Sequence, residues 1–257
     1  MNNIQSLAIK LFGNNQACKC GGDHVVCLKC EVCRADKADM TYNLEAGVAS
    51  IIDATVLKAT ATQDEVKSLC AMANEHKTAS VCINSHFISL IKASLLPEVK
   101  SCTVINFPLG AGSVTAIAQE ASAVLAAGVD EVDMVQNISA MLSLDYDAAY
   151  SSINETARLC ISKGALLKVI LETCYLSEEQ IIISCLISKK AGADFVKTST
   201  GFGTAGATPE HIALMRSVVG PKLGVKASGG VRTKEQAEAM IAAGASRIGA
   251  SSVSALL

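Results

Sequence analysis

The sequence predicts an α/β fold of the (β/α)8 TIM-barrel class, preceded by a cysteine-rich extension. Three observations carry that expectation: eight short apolar runs, helix-patterned stretches between them, and a recurring Ala-Gly junction that leads from helix to strand. The runs are Val48–Thr55, Ala79–Asn84, Cys102–Asn106, Glu131–Val135, Leu166–Glu172, Ala193–Ser199, Leu223–Ser228 and Ser246–Ala250. Each is short, mostly β-branched and flanked by Gly, Asn, Ser or Thr, the pattern of parallel strands buried on both faces. Stretches such as Asp64–Glu75 and Thr233–Ala243 read as the intervening helices.

The junctions are Ala127-Gly128-Val129-Asp130, Ala191-Gly192-Ala193-Asp194 and Ala243-Gly244-Ala245-Ser246, with Lys163-Gly164-Ala165 a weaker copy. Glycine suits the left-handed position that closes a helix. Helix starts are marked as well: Thr62 with Glu65 forms a candidate capping box, and Thr208-Pro209-Glu210 puts proline at the first helical position. Eight strand–helix units over about 210 residues match a closed barrel. A doubly wound sheet is the alternative, but it seldom carries eight near-equal units, and no GxGxxG opens the first one.

Composition narrows the function classes. Of 257 residues half are hydrophobic and 18% are charged, with a net charge of -2. That excludes a disordered chain and offers no basic excess for nucleic acid or an anionic membrane. No apolar run nears the roughly 18 residues of a membrane span, and the first residues lack a secretory pattern. Eleven cysteines, an odd number with six in the apolar segments, fit a reducing cytoplasm better than a disulfide framework. A barrel with so little charge is expected to pair with itself as a homodimer. The composition changes near residue 43, which divides the chain into a polar, cysteine-rich segment 1–43 and a barrel 44–257.

In a barrel the reacting groups belong at the C-terminal ends of the strands. Asp53, Asp133, Lys168, Glu172, Lys197 and Lys226 are charged residues embedded in apolar runs, where charge is rare unless paired. Lys168 and Glu172 lie four apart and read as an internal ion pair. Lys197 and Lys226 sit near the ends of consecutive strands, where two ammonium groups repel. At roughly 5 Å and an effective dielectric near 20 that repulsion is about 3 kcal/mol, enough to favour a neutral, nucleophilic amine on one of them. Asp133 faces the same cavity as an acid–base partner, a structural ion pair being the alternative. Glycine-rich segments follow the last three strands: Thr200–Gly206, Ser228–Gly230 and Gly249–Ser252. Their backbone N–H groups suit phosphate oxygens. Arg232 and Arg247 lie nearby or on the surface.

These residues carry a family likeness. Ala193-Asp194-Phe195-Val196-Lys197-Thr198-Ser199-Thr200-Gly201-Phe202-Gly203 resembles the Schiff-base motif of deoxyribose-phosphate aldolases. Val225-Lys226-Ala227-Ser228-Gly229-Gly230-Val231-Arg232-Thr233, Glu131–Val135, Leu166–Thr173 and Ile105–Gly110 resemble further motifs of that family. The likeness runs from about residue 50 to the end. It implies a class I aldolase interconverting 2-deoxy-D-ribose 5-phosphate with acetaldehyde and D-glyceraldehyde 3-phosphate. By that resemblance Lys197 forms the Schiff base, Lys226 tunes it, and Asp133 shuttles protons with a water. Asp53 and Thr55 order the water and a substrate hydroxyl. Cys82 falls where relatives carry a cysteine close to the site, a buried packing cysteine being the alternative; Lys168 is placed with the substrate-binding residues, and Gly201, Gly229, Gly230, Gly249, Ser251 and Ser252 match the phosphate-binding set. No cofactor is implied for catalysis, since the iminium is itself the electron sink. Some relatives bring a tail tyrosine to the site; here the last tyrosine is Tyr175, which leaves proton transfer to Asp133, Lys226 and water.

The N-terminal segment stands outside the likeness. Ile4, Leu7, Ala8, Leu11 and Phe12 share one helical face, which either caps the bottom of the barrel or docks on a protein partner. Cys18, Cys20, Cys27, Cys30 and Cys33 follow, with His24 among them. Their spacing suits a small structural zinc knuckle with four thiolates; an iron–sulfur site or free thiols are the alternatives. Two rival functions remain. One is another Schiff-base sugar-phosphate barrel enzyme, transaldolase-like; the other is a non-catalytic barrel scaffold that binds through the cysteine segment.

Overall fold

Eight parallel strands close into a barrel in the order of the chain, each paired with its neighbours and β8 with β1. The structure is a computed structural model and describes residues 3–12, 40–42 and 47–257. The strands are β1 (Ile52–Val56), β2 (Ser80–Ile83), β3 (Lys100–Ile105), β4 (Glu131–Val135), β5 (Leu166–Ile170), β6 (Phe195–Lys197), β7 (Gly224–Ser228) and β8 (Arg247–Ala250). The helices are α1 (Asn3–Phe12), α2 (Gln63–His76), α3 (Ile88–Ser94), α4 (Val114–Ala126), α5 (Ile138–Leu142), α6 (Tyr146–Lys163), α7 (Glu178–Ala191), α8 (Pro209–Val219) and α9 (Lys234–Ala242). The first apolar run is longer than its strand: Val48–Ile51 forms a 3-10 turn, and β1 starts at Ile52.

The sequence signals for helix ends hold. Thr62 and Glu65 make the full capping box at the start of α2, and Thr208 caps α8 with Pro209 at its first position. Gly128, Gly164, Gly192 and Gly244 all take positive φ at the helix-to-strand junctions. These closures fix the short returns that keep consecutive strands adjacent.

The core has two parts. The larger lies between the outer faces of the strands and the helices. A smaller one, of Leu57, Cys82, Cys102 and Val104 with Phe107 against it, fills the barrel interior on the β2–β3 side. The α7 helix is buried along almost its whole length, from Ile181 to Lys189, so it needs cover on its outer side as well as contact with the barrel. Part of that cover is α1, which packs on it and buries Leu7 and Ala8 in the main core with Ile4 and Leu11 partly enclosed. The N-terminal helix therefore joins the outer helix layer, a different seat from the expected cap beneath the barrel, because α7 is apolar on more than one face. Gly224 serves the interior: a Cβ there would stand 2.0 Å from the Phe195 ring, so only glycine lets that ring lie across β7.

Candidate active site

Side chains alternate along a strand, so residues two apart share a face. That rule, with the register of the barrel, sends Asp53, Glu131, Asp133, Lys168, Lys197, Lys226 and Arg247 into one interior cluster. Asp133 pairs in register with Lys168, Lys197 with Lys226, and Lys226 with Arg247. Asp133 is the hub. Its Oδ1 accepts from Lys168 Nζ at 2.8 Å, and its Oδ2 accepts from Lys197 Nζ at 2.8 Å and Lys226 Nζ at 2.7 Å. Below it Lys168 reaches Glu131 at 2.5 Å and Asp53 at 3.7 Å. Lys226 pairs also with Asp53, whose Oδ1 accepts from Ser80 Oγ and Arg247 Nη1, each at 2.7 Å. Arg247 reaches Glu131 at 3.2 Å and lies over the Phe195 ring at 5.2 Å. Gly249 leaves room for this: a Cβ there would come within 3.2 Å of Lys226 Cε.

The electrostatics follow from burial and partners. Burial opposes the charges on Asp53 and Asp133, yet the surrounding cations outweigh it and hold both carboxyls well below the usual carboxylate range. Arg247, Lys226 and Lys168 act on Asp53, and the three lysines on Asp133. Burial likewise opposes the charge on Lys226 and Lys168, and the carboxylates reverse it, so both are held above the ordinary lysine value. Four cations then face three carboxylates.

Above the cluster, at the C-terminal ends of the strands, lies a cavity of about 310 Å³. Its walls include Thr55 on β1 and Lys58 after it, Thr200, Gly201 and Phe202 after β6, Ser228 at the end of β7 with Gly229, Gly230 and Arg232 after it, and Gly249 on β8 with Ser251 after it. Lys197 is the member of the ionic cluster that lines it. Gly229 and Gly230 both take positive φ, at 79° and 83°, a backbone turn that aims successive N–H groups outward as an anion nest does. The β6 and β7 loops are tied together: Ala207 N donates to Gly229 O at 2.9 Å, and a Cβ on Gly206 would meet that oxygen at 2.0 Å. A shallower depression of about 610 Å³ opens beside it along α2, sharing Thr55, Lys58 and Ser251 but none of the cluster.

The structure brings together most of the residues singled out from sequence and corrects others. Lys197 and Lys226 do not face each other across open space; the Asp133 Oδ2 they share lies between them, since two uncompensated ammonium groups in a dry interior would cost more than either could recover. Lys168 does not pair with Glu172. The strand ends at Ile170, Glu172 turns into the left-handed region at φ 54°, and its carboxylate accepts from Thr200 N at 3.3 Å and from Thr200 Oγ1. Lys168 and Cys82 are fully buried below the cavity wall, and Ser252 is exposed outside it. Thr55 is on the wall, its hydroxyl donating to Asp53 O at 2.8 Å. Arg247 is an interior ion-pair residue, not a surface one. Cys18, Cys20, Cys27, Cys30 and Cys33 lie outside the described residues.

Glu131 and Lys58 escape a reading of the sequence alone, and Arg247 enters it only as a neighbour of the glycine-rich loops. Glu131 carries a signal, since it stands two before Asp133 on the same face. Arg247 likewise precedes Gly249 by two. Lys58 on the cavity wall lies just past the first run and carries no such mark.

Comparison with known proteins agrees with this geometry. The profile of the DeoC/LacD family aldolases matches residues 48–257. A deoxyribose-phosphate aldolase of Caldanaerobacter subterraneus subsp. tengcongensis is 53% identical over 206 residues, 79% of this chain and 89% of that protein. One of Bacillus cereus is 51% identical over 211 residues, 82% of this chain and 94% of that protein. The solved structure of the deoxyribose phosphate aldolase from Aeropyrum pernix, described as tetrameric, superposes with a TM-score of 0.74 at 36% identity, covering 81% of this chain and 88% of that one.

Proposed function

The chain belongs to the DeoC/LacD family of aldolases, and on that premise we propose that it is a class I aldolase that reversibly cleaves 2-deoxy-D-ribose 5-phosphate to acetaldehyde and D-glyceraldehyde 3-phosphate. The observation that carries the reading is the seat of Lys197: of the three buried lysines on Asp133, it is the one that reaches the cavity.

Charge balance supports Lys197 as the nucleophile. Four cations against three carboxylates leave one positive charge in surplus, and the cluster is neutral when one amine carries no proton. Lys168 touches three carboxylates and Lys226 two, whereas Lys197 touches one oxygen and shares it. The neutral amine of Lys197 attacks the aldehyde carbon of the open-chain sugar. The carbinolamine loses water and leaves a protonated imine. Loss of the proton from the C3 hydroxyl breaks the C2–C3 bond, its electron pair moving into the iminium to give an enamine, and glyceraldehyde 3-phosphate departs. Protonation at C2 and hydrolysis then free acetaldehyde and Lys197. Asp133, 2.8 Å from the lysine nitrogen, takes and returns protons at that atom and through a water. Asp53 and Thr55 order the water and substrate hydroxyl. No organic cofactor or metal is needed in this sequence of steps, because the iminium takes up the electron pair.

The phosphate binds where the Gly201, Gly229 and Gly230 amides and the Ser251 hydroxyl border the cavity, with Arg232 supplying charge. Lys168 acts from beneath by holding Asp133, and Cys82 is buried under the floor of the cavity. The same proposal includes a boundary near residue 43 between the cysteine-rich segment and the barrel, a homodimer, a cytoplasmic setting and a zinc ion on the N-terminal cysteines. Among the described residues no helix is long and apolar enough to cross a membrane.

Treatment with acetaldehyde and borohydride tests the assignment. The reduced adduct is expected on Lys197, located by peptide mass spectrometry. Labelling of another lysine, or of none, overturns it. A substrate panel separates the transaldolase-like alternative, since the proposed enzyme takes acetaldehyde as donor.

A further inference from the structure

Two thiols stand inside the barrel against the ionic cluster, and the cleavage steps use neither sulfur. Cys82 on β2 and Cys102 on β3 are register partners on neighbouring strands, both fully buried. Cys102 Sγ lies 3.3 Å from Asp133 Oδ1 and 3.4 Å from Lys168 Nζ. One donor atom from each of Cys82, Cys102 and Asp133 lies within 4.8 Å of the other two. The thiols share their apolar cluster with Leu57, which lines the cavity, so they lie just under its floor.

We propose that Cys82, Cys102 and Asp133 form a binding site for a thiophilic divalent cation of the Zn²⁺ and Cd²⁺ class, held by two thiolates and one carboxylate oxygen.

The donor set selects the ion. Thiolate ligands favour soft or borderline metals over Mg²⁺ and Ca²⁺, which take oxygen. The spacing fits too. With metal–sulfur bonds of about 2.3 Å and metal–oxygen bonds of about 2.1 Å, a tetrahedral centre holds its donors roughly 3.5 Å apart. The Cys102–Asp133 separation is already close to that, and the remaining gaps close by small side-chain rotations. A disulfide is the poorer fit. It wants Cβ atoms about 3.8 Å apart, whereas register partners on adjacent strands start from a backbone spacing of about 4.8 Å.

Charge balance also admits the ion. Each thiol gives up its proton on ligation, so a dication with two thiolates adds no net charge to a cluster already rich in cations. A hydrated Mg²⁺ would add two positive charges. The S–H of Cys102 already favours the thiolate of Cys82 against the opposing effect of burial. Burial pushes the Cys102 thiol up, and the bound metal displaces that second proton directly. Lys168, beside Cys102, then faces a thiolate. The ion competes with Lys168 for Asp133 Oδ1 and draws charge from the carboxylate that holds Lys197, so occupancy slows cleavage; this consequence rests on the aldolase reading.

The test uses the full chain with Cys18, Cys20, Cys27, Cys30 and Cys33 changed to serine, which removes the competing N-terminal thiols, and the same chain carrying Cys102→Ser in addition. Cys70, Cys160, Cys174 and Cys185 are present in both, so the difference isolates the interior pair. Cd²⁺ is titrated in, read by equilibrium dialysis and by the ultraviolet sulfur-to-cadmium absorption band. The parent chain is expected to bind one more Cd²⁺ than the Cys102→Ser chain, with a band of two-thiolate intensity that the variant loses. Cleavage by the parent is expected to be inhibited by Cd²⁺ and restored by a chelator, and the variant to resist inhibition relative to its own metal-free rate. Equal stoichiometry and equal absorption in the two chains overturn the site. Should Cys102→Ser fail to fold, Cys102→Ala is judged by the same difference. Absorption and dialysis report binding whether or not the chain cleaves sugar phosphates, so failure of the site and failure of the aldolase reading are separate results.

Discussion

Replacing Lys226 with leucine removes one cation from the cluster and leaves three cations against three carboxylates. The surplus positive charge that favours a free amine in the cluster is then gone, which weakens the proposed nucleophile, Lys197. The magnitude follows from the geometry. Lys197 Nζ and Lys226 Nζ lie 2.8 and 2.7 Å from the same oxygen of Asp133, so the two nitrogens stand at most about 5.5 Å apart. At an effective dielectric near 20, a unit charge at that distance contributes about 3 kcal/mol of repulsion. Without it, kcat/KM for deoxyribose phosphate cleavage at neutral pH is expected to fall by about two decades, the rate equivalent of that interaction. The loss should lessen as the pH is raised. The variant need not unfold, because Asp53 keeps Arg247 and Asp133 keeps Lys168 and Lys197; circular dichroism and a melting curve check that point. Lys226→Arg, which keeps the charge, should lose less at neutral pH than Lys226→Leu. The assay is initial rate against pH for the three chains. If Lys226→Leu stays within a factor of about three of the parent at neutral pH, with the profile unmoved, the charge-balance argument is wrong.

Other outcomes follow from single contacts. Gly224→Ala drives a Cβ to 2.0 Å from the Phe195 ring and should destabilise the chain by about 1–3 kcal/mol, measured from urea midpoints; a change under about 0.5 kcal/mol shows that the ring moves freely. Glu172→Ala removes the acceptor for Thr200 N and Oγ1 and slackens the β6 loop on the cavity wall. KM for the phosphorylated substrate should then rise by about tenfold with kcat less affected, and unchanged KM would remove the loop from phosphate binding. Asp53 and Asp133 have folded-state pKa values below those of an unfolded chain, so their stabilisation is present above the ordinary carboxylate value near 3.9 and is lost as the pH falls through the folded values. Lys168 and Lys226 are shifted upward, so theirs is present below the ordinary lysine value and is lost as the pH rises through the folded values. Urea unfolding should give a plateau near neutrality and a decline below about pH 4; a flat curve down to pH 2 would show that the carboxylates add nothing.

What the sequence reveals of this barrel depends on how far each interaction reaches along the chain. Strands, helix caps and junction glycines are local: Thr62 meets Glu65 three residues on, and Gly128 closes its own helix, so pattern and spacing suffice. The interior charges are half legible. A lysine or aspartate in a buried strand must have a partner, which marks Asp53, Asp133, Lys168, Lys197 and Lys226 without saying who meets whom. The nearest opposite charge along the chain is a poor guide. Lys168 passes over Glu172, four residues away, because the strand stops at Ile170 and the chain turns left-handed before the carboxylate could share its face. It takes Glu131 and Asp133 from the adjoining strand instead. Arg247 finds Asp53 only because β8 closes on β1, a contact across 194 residues. Closure is thus what sets the count of four cations to three carboxylates. Two lysines with their aspartate describe a pair held in check, whereas the added Glu131 and Arg247 turn that pair into a network with one proton to spare, above which the only buried lysine open to the cavity, among the described residues, is Lys197.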